Sequence, residues 1–418
     1  MAGRPGTPSL LREINDRAAL ELLLEEGALT RAQVGERTGL SKVTASQTLT
    51  RLQDRGLVTV TGQQAGGRGP SAAVYAVVPS SAYVAGLDVA PEAVTTGVAD
   101  VTGRLLTEVT VDPNGARNPV QLVRNAVSTA CRSARVQPEQ LRAFVIGTGG
   151  MVDPRTGDVR LSVNMPDWHE GALDALRSDL RRPVTIENDV NLAAMAEHAL
   201  GAAQGADDFV LVWLGVGLGL ATILGGRLHR GAKGAAGEIG YLPVPGVPLP
   251  EDLTHPAAGG FRSLADGREV RLLAERYGFA APAGTGAAGT GATGSEAALT
   301  EPPAAGVAGG SVAAAVAAAE SGDSAGHAFL ADLARRVAVG VAAIVVTLDP
   351  ELVVLGGEVG QAGGELLAGR VRTEVSRICP VTPHVVPTAV PDAPVLRGAL
   401  LAAVDQARAG LLASIADS

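Results

Sequence analysis

Apolar residues in the first eighty positions recur at helical spacing. Ile14, Leu20, Leu23 and Leu24 mark an amphipathic helix over 12–26, and Gly27 stops it. Thr30 is placed to cap a short second helix through Thr38, with Val34 turned inward. Gly39 supplies a tight turn, and Ser41 caps a third helix to about Arg55. The pattern then alternates: 58–60 and 73–77 read as two strands around a Gly-rich tip at 66–70. Helix, helix, glycine turn, helix and hairpin in that order spell a winged helix-turn-helix.

Beyond Tyr83 the period changes to that of strands. Segments 84–89, 93–99 and 105–111, broken by Pro91 and by Thr102-Gly103, predict an antiparallel meander. A helix over about 118–134 and a strand at 143–146 follow. A similar group recurs at 209–214, 219–224 and near 227–229, which predicts a duplicated α/β unit with a cleft between its halves. Phe209–Gly226 is nearly all apolar or glycine and approaches the length of a membrane span, but its glycines and β-branched residues favour two buried strands. Residues 280–310, rich in Gly, Ala, Thr and Pro and without period, read as a disordered insertion. Helical periodicity resumes near Val312 and strengthens over 328–348. A strand at 352–355 then runs into Gly356-Gly357, and a helix over about 395–413 closes the chain.

The third helix carries the first candidate chemistry. Leu40, Ala45, Leu49 and Leu52 form its inward face, which leaves Lys42, Thr44, Ser46, Gln47 and Thr50 outward. Thr44, Ser46 and Gln47 can bond to bases or phosphates, and Lys42 and Arg51 can meet phosphates. Arg68 at the glycine-flanked wing tip can enter a minor groove. Net charge revises the picture usefully. The 418-residue chain carries −9, which argues against nucleic acid, yet residues 1–80 hold nine Lys/Arg against seven Asp/Glu. A basic head on an acidic body suits a double-stranded DNA operator as partner. A helical cap used for protein contacts is the alternative. With only Cys131 and Cys379 there is no disulfide framework or zinc-type cysteine cluster, and no apolar targeting segment follows the N-terminus, so a cytoplasmic protein without a membrane partner is expected.

Four motifs carry further chemistry: Gly147-Thr-Gly-Gly150-Met-Val-Asp153 with Thr156-Gly157; Ile186-Glu-Asn-Asp-Val-Asn-Leu-Ala-Ala194 with Glu197; Gly231-Ala-Lys-Gly-Ala-Ala-Gly-Glu-Ile-Gly240; and Asp349-Pro-Glu-Leu-Val-Val-Leu-Gly-Gly357. The second ends a strand and opens a helix, so Glu187, Asn188 and Asp189 stand at a mouth where ligands collect. A carboxylate there can act as a general base toward a hydroxyl or simply accept its hydrogen bond, and the residues alone leave both open. By these motifs the chain resembles the ROK family (repressors, open reading frames and kinases) nearly end to end. The resemblance implies an α/β fold: a winged helix-turn-helix over 1–80, then a two-lobed, actin-like domain of the sugar kinase/ribonuclease H kind over 81–418. Its first lobe is expected over about 81–187 plus the C-terminal helix, and its second over about 188–394. It further implies a sugar ligand contacted by Gly150, Asn188, Asp189, Glu238 and Tyr241, and a homodimer or homotetramer. In the family's kinases Asp189 is the base.

The departures from that resemblance fall in the phosphate and metal sites. The kinases' Asp-x-Gly-Gly-Thr is Asp88-Val-Ala90-Pro91-Glu92 here, which removes an amide donor and adds a negative charge. Like charges about 4 Å apart repel by about 4 kcal/mol at an effective dielectric near 20. The second phosphate loop, Gly215-Val216-Gly217, lacks its hydroxyl. The zinc ligand His is replaced by Tyr241, the cysteine segment by the proline loop 243–250, and His255 alone cannot hold zinc. Arg262, in Gly259-Gly-Phe-Arg-Ser263, reads either as a surface side chain of a remodelled loop or as a group near the sugar that selects an acidic derivative. No catalytic residue, metal or cofactor is therefore expected, and a transcriptional repressor controlled by a sugar or sugar derivative is the leading expectation. The alternatives are an active sugar kinase with a DNA-binding extension and a repressor gated by a protein partner.

Overall fold

Residues 8–65, 71–113, 119–160, 172–180, 183–250, 259–280, 306–390 and 392–416 are described by the computed structural model of the chain. In the N-terminal arm, α1 (Pro8–Glu26) begins four residues before the expected start and ends at Gly27, whose φ of 81° excludes most other residues. After β1 (Leu29–Thr30), Thr30 caps α2 (Arg31–Thr38) reciprocally: its hydroxyl accepts from the Gln33 amide, and Gln33 returns a bond to the Thr30 amide at 2.8 Å. Ser41 caps α3 (Lys42–Asp54) by accepting from the Thr44 amide at 3.2 Å. β2 (Val58–Gln64) and β3 (Ala72–Val77) form the wing, and β1 joins the other edge of β3, a third strand too short to be legible in the sequence. Arg68 and the rest of the expected wing tip lie outside the described residues. Leu20, Leu23, Val34, Leu49 and Leu52 are all at most 2% exposed and hold the three helices together.

The body opens with the expected meander, β4 (Tyr83–Val89), β5 (Val94–Asp100) and β6 (Leu105–Val111). Then come α4 (Pro119–Ala134), β7 (Leu141–Thr148), the small hairpin β8 (Met151–Val152) and β9 (Val159–Arg160), α5 (Ala172–Leu180), β10 (Val184–Asn188) and α6 (Asp189–Leu200). The sheet order is β10-β7-β4-β5-β6, with β7 parallel to both β4 and β10. The second lobe repeats the plan. β11 (Phe209–Leu214), β12 (Leu218–Leu224) and β13 (Arg227–Leu228) form a meander, so the apolar stretch 209–226 is two paired strands, Phe209 opposite Ile223. α7 (Arg262–Ala265), α8 (Gly267–Arg276), α9 (Val307–Glu320), α10 (Ser324–Leu348), β14 (Leu352–Gly356), α11 (Gly357–Ile378), β15 (His384–Pro387) and α12 (Pro394–Ala416) complete the chain. The order β13-β12-β11-β14-β15, with β14 parallel to β11 and β15, matches the first sheet strand for strand. Most of the expected insertion, 281–305, lies outside the described residues. Its last residues are helical, since α9 starts at Val307.

α12 ties these parts together. A Cβ on Gly398 would fall 1.9 Å from the Leu192 carbonyl of α6, and one on Gly147 would fall 2.6 Å from Val395, so glycine lets helix, helix and strand cross at close range. Over Pro394–Ile415 α12 is long and apolar enough to cross a membrane, but Leu396, Ala399, Ala403, Val404 and Ala407 are buried in the protein. One core runs from Leu20, Leu49 and Leu57 of the arm through Leu412 and Ala403 of α12 to Leu192 of α6 and Leu211 of the second sheet. At the junction the Arg55 guanidinium donates to the Ser414 carbonyl at 2.8 Å.

Candidate effector cleft and DNA-facing helix

On α3 the inward set is as the periodicity requires: Ala45, Leu49 and Leu52 are buried, joined by Thr48, while Leu40 is half-buried. Lys42, Gln47 and Thr50 are exposed. Thr44 and Ser46 are half-buried and partly engaged. The Thr44 hydroxyl lies 2.9 Å from that of Ser41, and Ser46 accepts from the Arg31 guanidinium at 3.4 Å. Arg31, the first residue of α2, was not singled out by the sequence. Its proximity to Ser46 depends on the angle between two helices, which no local pattern specifies. Arg51, expected at the DNA surface, instead grips Asp16 of α1 through Nε at 2.9 Å and Nη2 at 2.5 Å. The Asp16 side chain is only 7% exposed, and the bidentate bond raises the Arg51 pKa. Arg51 therefore fixes α3 to α1 and is withdrawn from the outward set.

The cleft is built at the β10–α6 junction. Asn188 is the N-cap of α6: its Oδ1 accepts from the Asn191 amide at 3.1 Å, and its Nδ2 donates to the Gly150 carbonyl at 3.1 Å. Much of the amide expected to bind a ligand is thus spent holding the mouth in shape. Glu187, 5% exposed, braces the same junction, accepting from Asn191 Nδ2 at 2.8 Å and from Arg230 Nε at 2.6 Å. Neither was assigned a structural role from sequence.

Asp189, the first residue of α6, accepts from the Val190 amide at 2.8 Å. A side chain on Gly149 would come within 3.7 Å of its other carboxylate oxygen, and Gly150 has a φ of 101°. The Gly150 φ lies in the left-handed region that favours glycine. Burial raises the Asp189 pKa, an effect the backbone donors only partly offset. Asp88, at the end of β4, is pushed up to about 7 by burial and by the charge of Asp189. Glu238 is raised by burial and by Asp189, and lowered by Arg262. Asp88, Asp189 and Glu238 therefore share one electrostatic environment, although they are 49 or more positions apart in sequence.

Tyr241 closes the 3₁₀ turn after Glu238, and the Arg262 guanidinium carbon lies 5.2 Å over its ring. Arg262 is thus part of the cleft wall. Asp266, also missed by the sequence reading, caps α8 by accepting from the Glu269 amide at 2.9 Å, and burial raises its pKa to about 6. A carboxyl group donates a hydrogen bond when protonated and accepts when ionised, and the arginine beside these acids donates, so the groups together offer both kinds of partner to hydroxyls.

Just beyond Asp88, Ala90 and Ala93 close the β4–β5 turn, their backbone bond 3.0 Å long, with Glu92 exposed on it. Glu358 stands on the first turn of α11 and accepts from the Gly306 amide, while its Oε1 is buried and has no hydrogen-bond partner among the described residues. Burial raises the Glu358 pKa, and the charge of Glu92 raises it further.

Comparison with known proteins agrees with this architecture. Residues 15–69 match the MarR family. A ROK family transcriptional regulator described as a homolog of the E. coli MLC protein superposes with a TM-score of 0.69 at 17% identity, covering 97% of this chain and 98% of that one. A ROK family glucokinase from Streptomyces griseus, solved with glucose and AMPPNP, gives 0.59 at 26% identity over 77% of this chain and 98% of its own. In sequence the chain is 25% identical over 241 residues to the DNA-binding transcriptional dual regulator NagC of Escherichia coli K12, 57% of this chain and 59% of that one. It is 24% identical to the xylose repressor of Bacillus subtilis over 56% and 62%. These matches span about three fifths of the length of either relative. Residues 84–405 match the ROK family, and the chain belongs to it.

Proposed function

We propose that this chain is a DNA-binding transcriptional repressor whose cleft senses a sugar or sugar derivative without phosphorylating it. The observation that carries the reading is the single core running from the three-helix arm through α12 to α6, the helix that bears Asp189. A ligand that favours one setting of the α6–α12 crossing also favours one setting of the arm, and only such differential binding can move a DNA equilibrium. The repressor relatives support it. The partners on this reading are an operator duplex and the sugar, held by a homodimer or homotetramer working in the cytoplasm. Residues 1–80 form the arm and 81–418 the sensor.

Two features support absence of kinase chemistry. Glu92 and Glu358 bring negative charge to the side of the cleft where the family's kinases bind phosphate, and Val216 offers no hydroxyl there. The residues around Tyr241 do not fit a zinc ion. A guanidinium packs on the tyrosine ring, and Cys131 and Cys379 are buried in separate cores. The retained Asp189 and Glu238 favour the second reading, an active sugar kinase with a DNA-binding extension.

Operator binding by the purified chain, measured with and without a panel of hexoses, pentoses, N-acetylhexosamines and their phosphates, tests the proposal. Expected are a sugar-dependent change in operator affinity and no sugar-dependent ADP release from ATP. ADP release lost in Asp189→Ala would establish the kinase reading. A full response to a protein partner and none to any sugar would establish the third.

A further inference from the structure

α3 carries one side chain that its polar face does not call for. Val43, the second residue of the helix, is 67% exposed, the most exposed large apolar side chain among the described residues. It belongs to none of the three buried cores. Isolated apolar side chains on a surface are ordinary, so exposure alone carries nothing. Its place does. Gly39 and the Ser41 cap turn the chain sharply before Lys42, and among the described residues none buries Val43 on the first turn of α3. Lys42 stands beside Val43, Gln47 lies one turn on, and Arg31 reaches Ser46 three positions along the same helix. The side chain is thus apolar at the centre of a polar and basic rim.

Helices that enter the major groove read bases with their first turn. A valine there can neither donate nor accept a hydrogen bond, and the apolar feature a base pair shows in that groove is the thymine C5-methyl. A β-branched side chain in a helix is also stiff at χ1, so both methyl groups of Val43 point in a fixed direction. We propose that Val43 reads a thymine C5-methyl in the operator and so helps set its sequence. This rests on the reading of the chain as a DNA-binding protein.

The full chain selects its preferred duplex from a randomised pool, and each thymine of that duplex is then replaced singly by deoxyuridine, which removes only the methyl group. Burying one methyl group corresponds to roughly a four-fold change in affinity. At least one thymine is expected to show a loss of that size with the parent protein. Val43→Ala should bind the thymine duplex about as weakly as the parent binds the uracil one, and should not distinguish the two. Alanine suits an exposed helix position, so folding is preserved, with helical content measured by circular dichroism as the control. Val43→Thr, which keeps the branch and one methyl group, should retain part of the discrimination. A flat uracil scan, or a thymine preference unchanged in Val43→Ala, overturns the assignment while leaving DNA binding intact. Failure to select any duplex overturns both readings.

Discussion

The arm and the cleft use polar residues in opposite ways. On α3 the groups facing outward come from one short stretch of chain, with Lys42, Gln47 and Thr50 exposed. In the cleft Asp88, Asp189, Glu238 and Asp266 come from four separate segments, and burial raises the pKa of each from its ordinary value. Even their arginines differ: Arg51 is locked onto an almost fully buried aspartate, while Arg262 lies over a ring in a wall shared with the acids. On the proposed function the arm is the part that meets DNA, and its outward groups come from one local stretch of sequence. On the same proposal the cleft is the part that meets the effector, and the pKa values of its acids are raised by burial from their ordinary values.

The largest expected effect breaks the arm. Asp16→Ala leaves Arg51 half-buried without its bidentate partner and should cost about 3 kcal/mol. Thermal unfolding followed by circular dichroism should show the loss, and an unchanged midpoint would mean that the pair does not organise the arm.

A somewhat smaller effect separates the cleft by pH. Asp88 has a folded pKa of about 7, above its ordinary value near 3.8, so the folded protein holds a proton that the unfolded chain has already lost. Stability contributed this way is complete below the unfolded value and lost as pH rises through 7. Asp88→Asn should therefore be more stable than the parent at pH 8 by about 2 kcal/mol, about half the full shift because the site is partly open to solvent. The gap should close toward pH 4. A denaturant series at both pH values checks it, and a parallel offset at both would contradict the assignment.

The coupling itself comes next. Asp189→Ala and Glu238→Ala should each blunt the effector's influence on operator affinity, within the usual range of about 1–3 kcal/mol, and leave affinity without effector nearly unchanged. Operator titrations with the responsive sugar decide it, and two variants that respond like the parent would place the sensor elsewhere. The smallest effect sharpens the view of α3. Lys42→Ala should weaken binding evenly across sequences and reduce the slope of log affinity against log salt by about 1. A sequence-dependent loss would instead make Lys42 a reader of bases.

What could be read in the sequence follows the same division. The arm was legible because its signals are local: Thr30, Gly39 and Ser41 cap or turn the chain within three residues, and an inward face repeats every three or four positions. The duplicated meander was legible for the same reason, down to the pairing of 209–214 with 219–224. The four motifs located Gly150, Asn188, Asp189 and Glu238, yet not what each does. Asn188 is largely spent as a cap and a strap, a use set by where the Gly150 carbonyl happens to lie.

By itself, then, the sequence determined the elements, their order, and which face of each is apolar, because capping, turning and periodicity act over a few residues. Only the tertiary structure decided which charges meet. Arg51, expected to meet phosphates, was bound by an aspartate 35 positions away, Arg31 was set against Ser46, and Arg262 was laid over Tyr241. Burial and proximity between distant segments fix such pairings and the pKa values that follow from them, and neither quantity exists until α12 and α6 cross and the two sheets close around the cleft.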